Sequence, residues 1–567
     1  MAGCSGRAGD VRQCQSALGT VESSIAPADW RVKPIRLHNV GMTYGSGPVA
    51  ATRAILPPNL TGRCAHFHDL HQSATMAICA QQFVRLAHIR IHHPISLMSN
   101  NSAQFAHAST PGNTPIAICG AGIAGIAAAW FLSVRAGFNN ITLIDERRPL
   151  SLTSDKSTEA YRNWWPGPDD AMLRLMNRSI DLLEEFADTH DNAIMLNRRG
   201  YFYATARQER ADTLRAEAEL AERMGAGTLR IHTGSGTSYV PAPVFGYANQ
   251  PSGSDLLLGR EVIERHFPWL APDTIALLHA RRCGWLSGQQ LGMLLFEEAR
   301  AAGVRFISGR VAAVNCAAGA VESVSIAQGD AATQIPADIF VNAAGPFARA
   351  VAALLDVDLP LFSERHLKIA FDDRLGALPR NAGLIICEDP ITLPWRDDER
   401  AELAANPEIA WLTETLPAGV HMRPEGLGAE SQTVLLLWAY HTQRHPEIVP
   451  VPLDGDFSEV ALRGMARLVP GLLPYTERLP KSYMDGGYYT KTAENRPLIG
   501  PLPVHGAFVI AGLSGYGLMA ACAAGELLAA HVAGAPLPTY APAFCLERYA
   551  EPSYLARMHA WGSGGQL

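Results

Sequence analysis

The most informative stretch of the chain runs from Pro115 to Gly125 and reads PIAICGAGIAG. An apolar run typical of a buried strand leads into a Gly-x-Gly-x-x-Gly pattern, and small apolar residues typical of a helix follow. In such a strand–turn–helix unit, Gly120 permits the tight turn, Gly122 lets the backbone approach a pyrophosphate, and Gly125 lets the helix pack closely against the strand. The pattern predicts a dinucleotide-binding unit, and glycines that serve helix packing alone are the alternative.

An acidic residue stands where such a unit needs one. Asp145 ends the second predicted strand, 20 positions after Gly125, and its carboxylate can accept hydrogen bonds from the hydroxyls of an adenosine ribose. The free N–H groups at the start of the predicted helix attract phosphate. Ile123, Ala124 and Glu146 complete the cofactor contacts that we predict for this unit.

Two further glycine-bearing strand ends help to identify the cofactor. Residues 341–345 read VNAAG and end a predicted strand, and residues 512–517 read GLSGYG before a predicted helix. Three such strand ends, spread over about 400 positions, suit a long ligand that lies across the edge of a sheet, such as FAD. Arg147 and Arg148 leave an NADP site open, but the C-terminal glycine motif argues against an NAD(P) dehydrogenase.

The rest of the chain outlines an α/β body that is interrupted twice. Strand and helix patterns alternate in residues 114–145, 289–343 and 507–532 in the manner of a parallel sheet covered by helices. The intervening segments carry strand-like runs separated by loops rich in proline and charge. The apolar runs 116–134 and 507–532 are interpreted as buried strand–turn–helix units and not as membrane spans, because glycines interrupt both.

Several separated motifs resemble those of FAD-dependent amine and amino-acid oxidoreductases, the superfamily of D-amino-acid oxidase, glycine oxidase and sarcosine oxidase. Besides the units above, they are residues 153–158 (TSDKST), 297–304 (EEARAAGV), 342–346 (NAAGP), 487–492 (GYYTKT) and 497–500 (PLIG). The resemblance covers about residues 115–550, and the order of its motifs is specific.

The resemblance implies an α/β fold in which a Rossmann-like FAD-binding domain is assembled from discontinuous segments. An α+β substrate domain built on a mixed sheet accompanies it. We expect the FAD-binding domain at 114–195, 284–362 and 485–567 and the substrate domain at 196–283 and 363–484. Residues 1–113 would be an unstructured leader outside this fold.

The resemblance also assigns residues to the cofactor. Ser157 and Thr158 would lie near the flavin, the backbone of Val311 near the adenine, and the turn around Gly515 beneath the isoalloxazine ring. The helix that begins in this turn would direct its N-terminus at the flavin, where it stabilises the negative charge of the reduced form. The remaining predicted contacts near these strand ends are Ala344, Gly345, Gly512, Tyr516, Gly517 and Leu518.

The substrate side departs from sarcosine oxidase. Arg162 stands where those enzymes hold the substrate carboxylate, and a guanidinium can bind both oxygens of such a group; a structural ion pair is the alternative. Gly487 stands where they attach flavin through cysteine, so we expect FAD to be bound non-covalently. Met519 and Tyr516 replace their lysine and histidine, which argues against sarcosine itself and favours a larger or less polar amine.

Two residues near the last flavin contacts are further catalytic candidates. Tyr489 could orient the substrate through its hydroxyl, and Lys491 could lie near the flavin or substrate; packing and solvation are the respective alternatives. The histidines of the substrate domain receive no role. No cysteine and histidine spacing indicates a metal site.

Together these features predict a flavin-dependent oxidoreductase. It would oxidise the C–N bond of an amine or amino acid to an imine, which water hydrolyses to a carbonyl compound, and the electrons would pass to O₂, a quinone or another electron-transfer partner. The alternative is a non-catalytic flavoprotein that acts as an assembly or partner-binding subunit.

Composition and net charge limit the partners and the cellular compartment that the sequence predicts. The chain of 567 residues carries a net charge of −7, which argues against a nucleic-acid partner. Ten scattered cysteines favour reduced thiols and a cytoplasmic protein. Residues 1–113 hold nine Lys and Arg against four Asp and Glu, so a targeting peptide is the alternative interpretation of the leader.

Overall fold

The computed structural model describes residues 112–561 except 235, 237, 427–430 and 442. The predicted leader therefore lies outside the described residues, apart from Gly112 and Asn113. The strands in chain order are β1 Ile116–Cys119, β2 Ile141–Asp145, β3 Ala160–Arg162, β4 Tyr201–Thr205, β5 Leu229–Thr233, β6 Ser254–Leu258, β7 Ala276–Ala280, β8 Cys283–Trp285, β9 Arg305–Ser308, β10 Arg310–Ala317, β11 Ala320–Gln328, β12 Ala331–Pro336, β13 Ile339–Asn342, β14 Phe362–Asp372, β15 Leu384–Cys387, β16 Ile391–Thr392, β17 Thr415–Leu416, β18 His421–Pro424, β19 Thr433–Leu437, β20 Ser482–Lys491, β21 Leu498–Pro501 and β22 Ala507–Ala511.

Helices cover the sheets and connect several of the strands. The α-helices are α1 Ile123–Trp130, α2 Ala171–Thr189, α3 Gln208–Met224, α4 Arg260–His266, α5 Gly288–Ala301, α6 Ala348–Ala352, α7 Asp397–Ala405, α8 Phe457–Ala466, α9 Pro474–Glu477, α10 Gly517–Ala533 and α11 Pro552–Trp561. A π-helical segment, Phe131–Arg135, continues α1. Short 3₁₀ helices lie at Thr153–Lys156, Gly345–Phe347, Ala353–Leu355, Ala410–Thr413, Pro470–Leu472, Ala541–Phe544 and Leu546–Ala550.

The first sheet has six strands in the order β21-β22-β13-β1-β2-β9. Five of them run parallel, and β21 alone is antiparallel to its neighbour β22. In register, Cys119 at the end of β1 lies between Ile144 of β2 and Asn342 of β13. The carboxyl ends of the central strands therefore meet at one edge, which is where open α/β sheets bind ligands.

Alternating side chains of β1 bury both faces of this sheet. Ile116 and Ile118 belong to the core that α1, α2 and α10 cover, whereas Ala117 and Cys119 belong to a second core. The second core lies against the antiparallel sheet β10-β11-β12. A strand buried on both sides explains why this stretch is apolar throughout instead of alternating.

The second large sheet is mixed and has nine strands in the order β20-β14-β19-β18-β15-β4-β7-β6-β5. Its own hydrophobic core packs against α8. The pairs β15–β4 and β5–β6 are parallel, and the other pairs are antiparallel. The α/β fold with a mixed second sheet agrees with the expectation, while the division into FAD-binding and substrate domains remains a prediction.

One strand crosses an expected boundary. Strand β20 pairs over its whole length with β14, from Ser482 opposite Phe371 to Lys491 opposite Phe362. It therefore belongs to the nine-stranded sheet, although the predicted boundary falls at residue 485. This pairing brings the predicted residues Tyr489 and Lys491 to the side of β14.

The two long apolar runs fold as predicted into strand–turn–helix units. The first forms β1, α1 and the π-helical segment, and the second forms β22 and α10. Among the described helices, none is both long and apolar enough to cross a membrane.

Candidate active site

A cavity of about 540 Å³ lies at the carboxyl ends of the parallel strands of the first sheet. Its wall includes Gly120 after β1, Asp145 at the end of β2, Ala344 after β13 and Gly512 after β22. Its volume falls within the usual range for sites that hold a small molecule or a cofactor. The three glycine-bearing strand ends singled out in the sequence thus line one cavity.

The glycines of the first unit have different roles. A Cβ on Gly120, which has a φ of +111°, would lie 2.3 Å from the carbonyl oxygen of Ala343. A Cβ on Gly125 would lie 1.9 Å from the carbonyl oxygen of Gly120. A Cβ on Gly122 would meet only Ser154 Oγ, at 3.3 Å. A side chain at Gly120 or Gly125 would therefore clash with the backbone, whereas a side chain at Gly122 would meet only the Ser154 hydroxyl beside the helix N-terminus.

Hydroxyl groups of the segment after β2 surround this helix N-terminus. The backbone N–H of Ile123 donates to Ser154 Oγ at 3.0 Å. Thr153 Oγ1 and Ser514 Oγ are buried and have no hydrogen-bond partner among the described residues, although both side chains line the cavity. Two buried hydroxyls without protein partners are typical of a site built for a polar ligand.

The carboxylate of Asp145 is held in place by the backbone. Oδ2 accepts from the N–H of Ala121 and Oδ1 from the N–H of Arg147, both at 2.8 Å. Each oxygen keeps a further lone pair for a ligand hydroxyl. Glu146 also lines the cavity, and its carboxylate pairs with Arg147 at 2.6 Å.

The other predicted cofactor contacts divide into three groups, one of which (Thr158, Gly515 and Tyr516) lines only the small pocket described below. Ser157 and Leu518 lie outside the cavity lining: Ser157 Oγ accepts from the N–H of Glu159 at 2.9 Å, and Leu518 packs against Gly288. Residues that do line the cavity are Ile123, Ala124, Val311, Gly345 and Gly517.

The chemistry of this cavity fits FAD. A glycine next to a helix N-terminus can take a pyrophosphate, a fixed carboxylate at the end of β2 can take ribose hydroxyls, and unpaired hydroxyls remain for polar groups of the ligand. Gly487 lies beside this wall, because its Cβ would be 3.6 Å from Cα of Thr153. Non-covalent binding at this position remains a prediction.

A second, smaller pocket adjoins the large cavity, and Ser514 lines both. It brings together residues far apart in the sequence, among them Thr158, Arg162, Tyr489 and Gly515. Tyr516 and Met519 contribute from the glycine turn and α10, and Trp438 from the segment after β19. None of its described lining residues is Asp or Glu.

Arg162 is a buried cation in the wall of this small pocket. Its side chain is 5 % exposed. The guanidinium carbon lies 4.5 Å from the ring centre of Trp165, and Nη1 lies 3.5 Å from the hydroxyl of Tyr203. These contacts limit the rotation of the guanidinium, as a site for a planar anion requires.

Tyr489 is fixed between two neighbours. Its ring lies parallel to the imidazole of His366, with centroids 3.7 Å apart and an interplanar angle of 14°. On another side, a Cβ on Gly515 would lie 2.3 Å from Tyr489 Cε2. Burial raises the pKa of Tyr489 to about 12, so the phenol stays protonated at neutral pH.

Lys491 does not line either cavity, in contrast to Arg162 and Tyr489. Its Nζ lies 2.7 Å from Oε2 of Glu364 in a buried ion pair. The structure thus places Lys491 outside the pocket lining, where it pairs with Glu364.

Sequence reasoning missed three polar residues of the small pocket: Tyr201, His366 and His421. The Tyr201 hydroxyl is fully buried and has no hydrogen-bond partner among the described residues. Burial lowers the pKa of His421 to about 4, and its Nδ1 donates to the carbonyl oxygen of Gly419 at 2.8 Å. No motif marks these residues, because separate strands carry them and only strand pairing brings them together.

Tyr516 supplies its ring rather than its hydroxyl to this region. The hydroxyl donates to the carbonyl oxygen of Asn495 at 2.8 Å, and the ring meets Trp165 edge to face at 5.4 Å. The residue that replaces the sarcosine oxidase histidine is therefore engaged in packing and in a backbone hydrogen bond.

The sequence matches the model of a known protein family. Residues 115–531 match the model of the family described as FAD dependent oxidoreductase. No curated protein matches the sequence at a significant level.

Solved structures share the fold. L-proline dehydrogenase from P. horikoshii is 17 % identical, with a TM-score of 0.58 over 79 % of this chain and 99 % of that one. Glycine oxidase from Geobacillus kaustophilus is 16 % identical, with a TM-score of 0.57 over 76 % and 98 %. L-amino acid deaminase from Proteus vulgaris is 14 % identical, with a TM-score of 0.57 over 77 % and 97 %. At these identities the likeness concerns the fold.

Proposed function

Because this chain belongs to the family of FAD-dependent oxidoreductases, we propose that it oxidises the C–N bond of an amine or amino acid to an imine, which water hydrolyses to a carbonyl compound. The observation that carries the proposal is the contact between the two cavities. The small pocket contains a buried arginine and shares Ser514 with the cavity that fits FAD. A substrate held by Arg162 would therefore lie next to the cofactor.

The large cavity would hold FAD along its length. Gly120, Gly122 and Gly125 shape the turn at which the pyrophosphate would lie beside the backbone of Ile123 and Ala124. Asp145, Glu146 and the Val311 backbone would meet the adenosine. The remaining proposed contacts, toward the flavin, are Ser157, Thr158, Ala344, Gly345, Gly512, Gly515, Tyr516, Gly517 and Leu518.

Bound FAD supplies a two-electron acceptor for the hydrogen of the carbon next to nitrogen. The N-terminus of α10 favours negative charge in the region of Gly517, which lines the large cavity. With Gly487 at the position of the attachment cysteine, we propose that FAD is held without a covalent link there.

In the small pocket, Arg162 would bind a carboxylate of the substrate through its guanidinium fork. The fixed phenol of Tyr489 would orient the substrate over the glycine turn, and Lys491 would support this wall through Glu364. Arg162, Glu364 and Lys491 are 5 to 6 % exposed, and this burial excludes bulk water and strengthens each charged contact. The residues bind and orient, and no protein nucleophile is required.

None of the comparisons supports a non-catalytic assembly subunit, since the matched family is one of oxidoreductases.

The electron acceptor that we propose is O₂, a quinone or another electron-transfer partner. Air reoxidation of the reduced protein, compared with reoxidation by a soluble quinone, distinguishes these acceptors.

The test begins with the visible spectrum of the purified protein, which should show flavin bands. Under anaerobic conditions, a panel of glycine, L-proline, iminodiacetate, N-methyl amino acids and simple amines is then added. At least one compound should bleach the flavin, and the corresponding acid without nitrogen should leave it oxidised. A flavin-loaded protein that no member of a broad panel reduces would contradict the proposal.

A further inference from the structure

A chain of buried ionisable groups leads from the interior to the wall of the small pocket. Lys491 Nζ lies 2.7 Å from Glu364 Oε2, and the same oxygen lies 3.4 Å from His366 Nε2. The three side chains are between 7 and 9 % exposed. Of the three, His366 lines the pocket, where its ring is stacked on Tyr489.

The pairing of β14 with β20 builds this arrangement. Glu364 and His366 are two residues apart on β14, and Tyr489 and Lys491 are two residues apart on β20, so each pair shares a face of the sheet. Glu364 lies opposite Tyr489, and His366 lies opposite Gly487, which has no side chain. The space beside Gly487 lets the phenol of Tyr489 stack on the imidazole.

A substrate amine must lose a proton before it can be oxidised in this pocket. Amines and amino acids carry an ammonium group at neutral pH, but removal of a hydride from the adjacent carbon needs the nitrogen lone pair. No described residue of the pocket lining is Asp or Glu, and the histidines there are His366 and His421. One of these imidazoles is therefore the nearest ordinary proton acceptor.

The surroundings distinguish the two histidines. His421 donates from Nδ1 to a carbonyl, and burial is the main cause that lowers its pKa to about 4, with Arg162 adding to it. His366 has the carboxylate of Glu364 beside Nε2, which stabilises an imidazolium. A proton is accommodated better on His366.

We infer that His366, supported by Glu364 and Lys491, accepts the proton of the substrate ammonium group and so delivers the amine in neutral form. The inference rests on the proposed function and deepens it. One N–H bond of the ammonium breaks, its electron pair stays on the amine nitrogen, and the proton binds the imidazole of His366. No electrons are exchanged in this step, so it needs no oxidant.

The charges around His366 fit both states of this step. Burial lowers the pKa of His366, an effect that Lys491 reinforces and Glu364 opposes, so the resting imidazole is neutral. Burial alone would raise the pKa of Glu364, but His366 and Lys491 outweigh it and keep the carboxylate ionised. The other charged or titratable groups that line this pocket are Arg162, His421, Tyr201, Tyr489 and Tyr516.

The experiment measures the rate of anaerobic flavin reduction against pH, using whichever of glycine, L-proline and iminodiacetate reduces the wild type. The wild-type rate should stay nearly constant above the pKa of His366. In His366→Asn it should fall at pH 7 by at least about tenfold, and rise about tenfold per pH unit toward the pKa of the free amine. Glu364→Gln should shift the profile in the same direction by a smaller amount.

The control is His505→Asn, which changes an exposed histidine away from the pocket and should retain the wild-type profile. Flavin content and melting temperature of each variant show that the site is assembled; if His366→Asn does not bind FAD, the Glu364→Gln profile decides. If the wild type is reduced and both variants have the same pH profile as the wild type, the inference is wrong, while the proposed function stands. A wild type that none of the three compounds reduces would overturn it together with its premise for these substrates.

Discussion

Gly515 and Tyr489 touch so closely that a Cβ on the glycine would lie 2.3 Å from Cε2 of the phenol ring. The same ring is stacked on the imidazole of His366, with the ring centroids 3.7 Å apart. Ser514, next to Gly515, lines both the large cavity and the small pocket. The absence of one side chain therefore sets the position of an aromatic wall at the junction of the two sites.

Gly515→Ala should move the Tyr489 ring and disturb the pocket. Overpacking of this kind costs about 1–3 kcal/mol, and a displaced wall should slow substrate-dependent flavin reduction by at least about tenfold. Stopped-flow absorbance measures the rate, and thermal unfolding measures the stability. Gly455→Ala is the matched control, because a Cβ there meets nothing within 4 Å. Equal rates for the two variants would show that the contact is irrelevant to the pocket.

The first glycine unit separates folding from cofactor binding. Gly125→Ala should destabilise the protein strongly, because its Cβ would lie 1.9 Å from a backbone oxygen. Gly122→Ala should keep the fold, since its Cβ meets only Ser154 Oγ at 3.3 Å, but should weaken FAD binding by about tenfold or more. Circular dichroism and fluorescence titration of the apoprotein with FAD report the two effects. Unimpaired FAD affinity in Gly122→Ala would contradict the proposed pyrophosphate site.

Asp145→Ala should affect both stability and affinity. It removes the acceptor of two backbone N–H groups, from Ala121 and Arg147, and loss of acceptors in hydrogen bonds to a charged group costs about 1.5–3 kcal/mol. FAD affinity should fall in addition, because the ribose partner is lost. Chemical unfolding of the apoprotein and FAD titration separate the two contributions. A destabilised protein with wild-type FAD affinity would argue against a ribose contact.

Arg162→Lys should discriminate between substrates. Lysine keeps the charge but loses the planar fork and its contact with Trp165 at 4.5 Å, so KM for carboxylate-bearing substrates should rise by about tenfold. Arg162→Ala should raise it further, while amines without a carboxylate should be little affected. Arg349→Lys, in an exposed ion pair with Asp358, is the control. Unchanged affinity for acidic substrates in Arg162→Ala would eliminate the assigned role.

His421 should make the protein sensitive to acid. Its pKa falls from 6.5 to about 4 on burial, so the unfolded chain binds the proton more readily and stability falls as pH decreases from 6.5 to 4. The loss for this group is about 1.4 kcal/mol per pH unit at most. His421→Asn should flatten the decline in melting temperature between pH 7.5 and 5. His505→Asn, an exposed substitution, should follow the wild type, and identical slopes in all three would contradict the assignment.

The first strand–turn–helix unit could be predicted from the sequence because it depends on local contacts. Strand β2 ends at Asp145, as predicted, and α1 begins immediately after Gly122. The glycine requirement at Gly120 and Gly125 is a matter of backbone angle and short-range contact. Such requirements act within a few dozen residues, and a single chain displays them directly.

The small pocket could not be predicted from the sequence in the same way. Arg162 follows a recognisable motif, but Tyr201, His366 and His421 are carried by β4, β14 and β18 of one mixed sheet. Their meeting depends on strand order and register, and a shift of one residue would turn each side chain to the opposite face. The spacing of these residues in the sequence does not indicate that pairing.

The sequence by itself determined the cofactor-binding unit, the α/β class and the family resemblance, because these depend on glycines and apolar periodicity within short segments. Only the tertiary structure placed Lys491 beside Glu364 and His366 beside Tyr489, and only it showed which buried hydroxyls lack hydrogen-bond partners among the described residues. The physical reason is that burial and charge pairing arise between strands that are distant in sequence, once long-range packing has set their register.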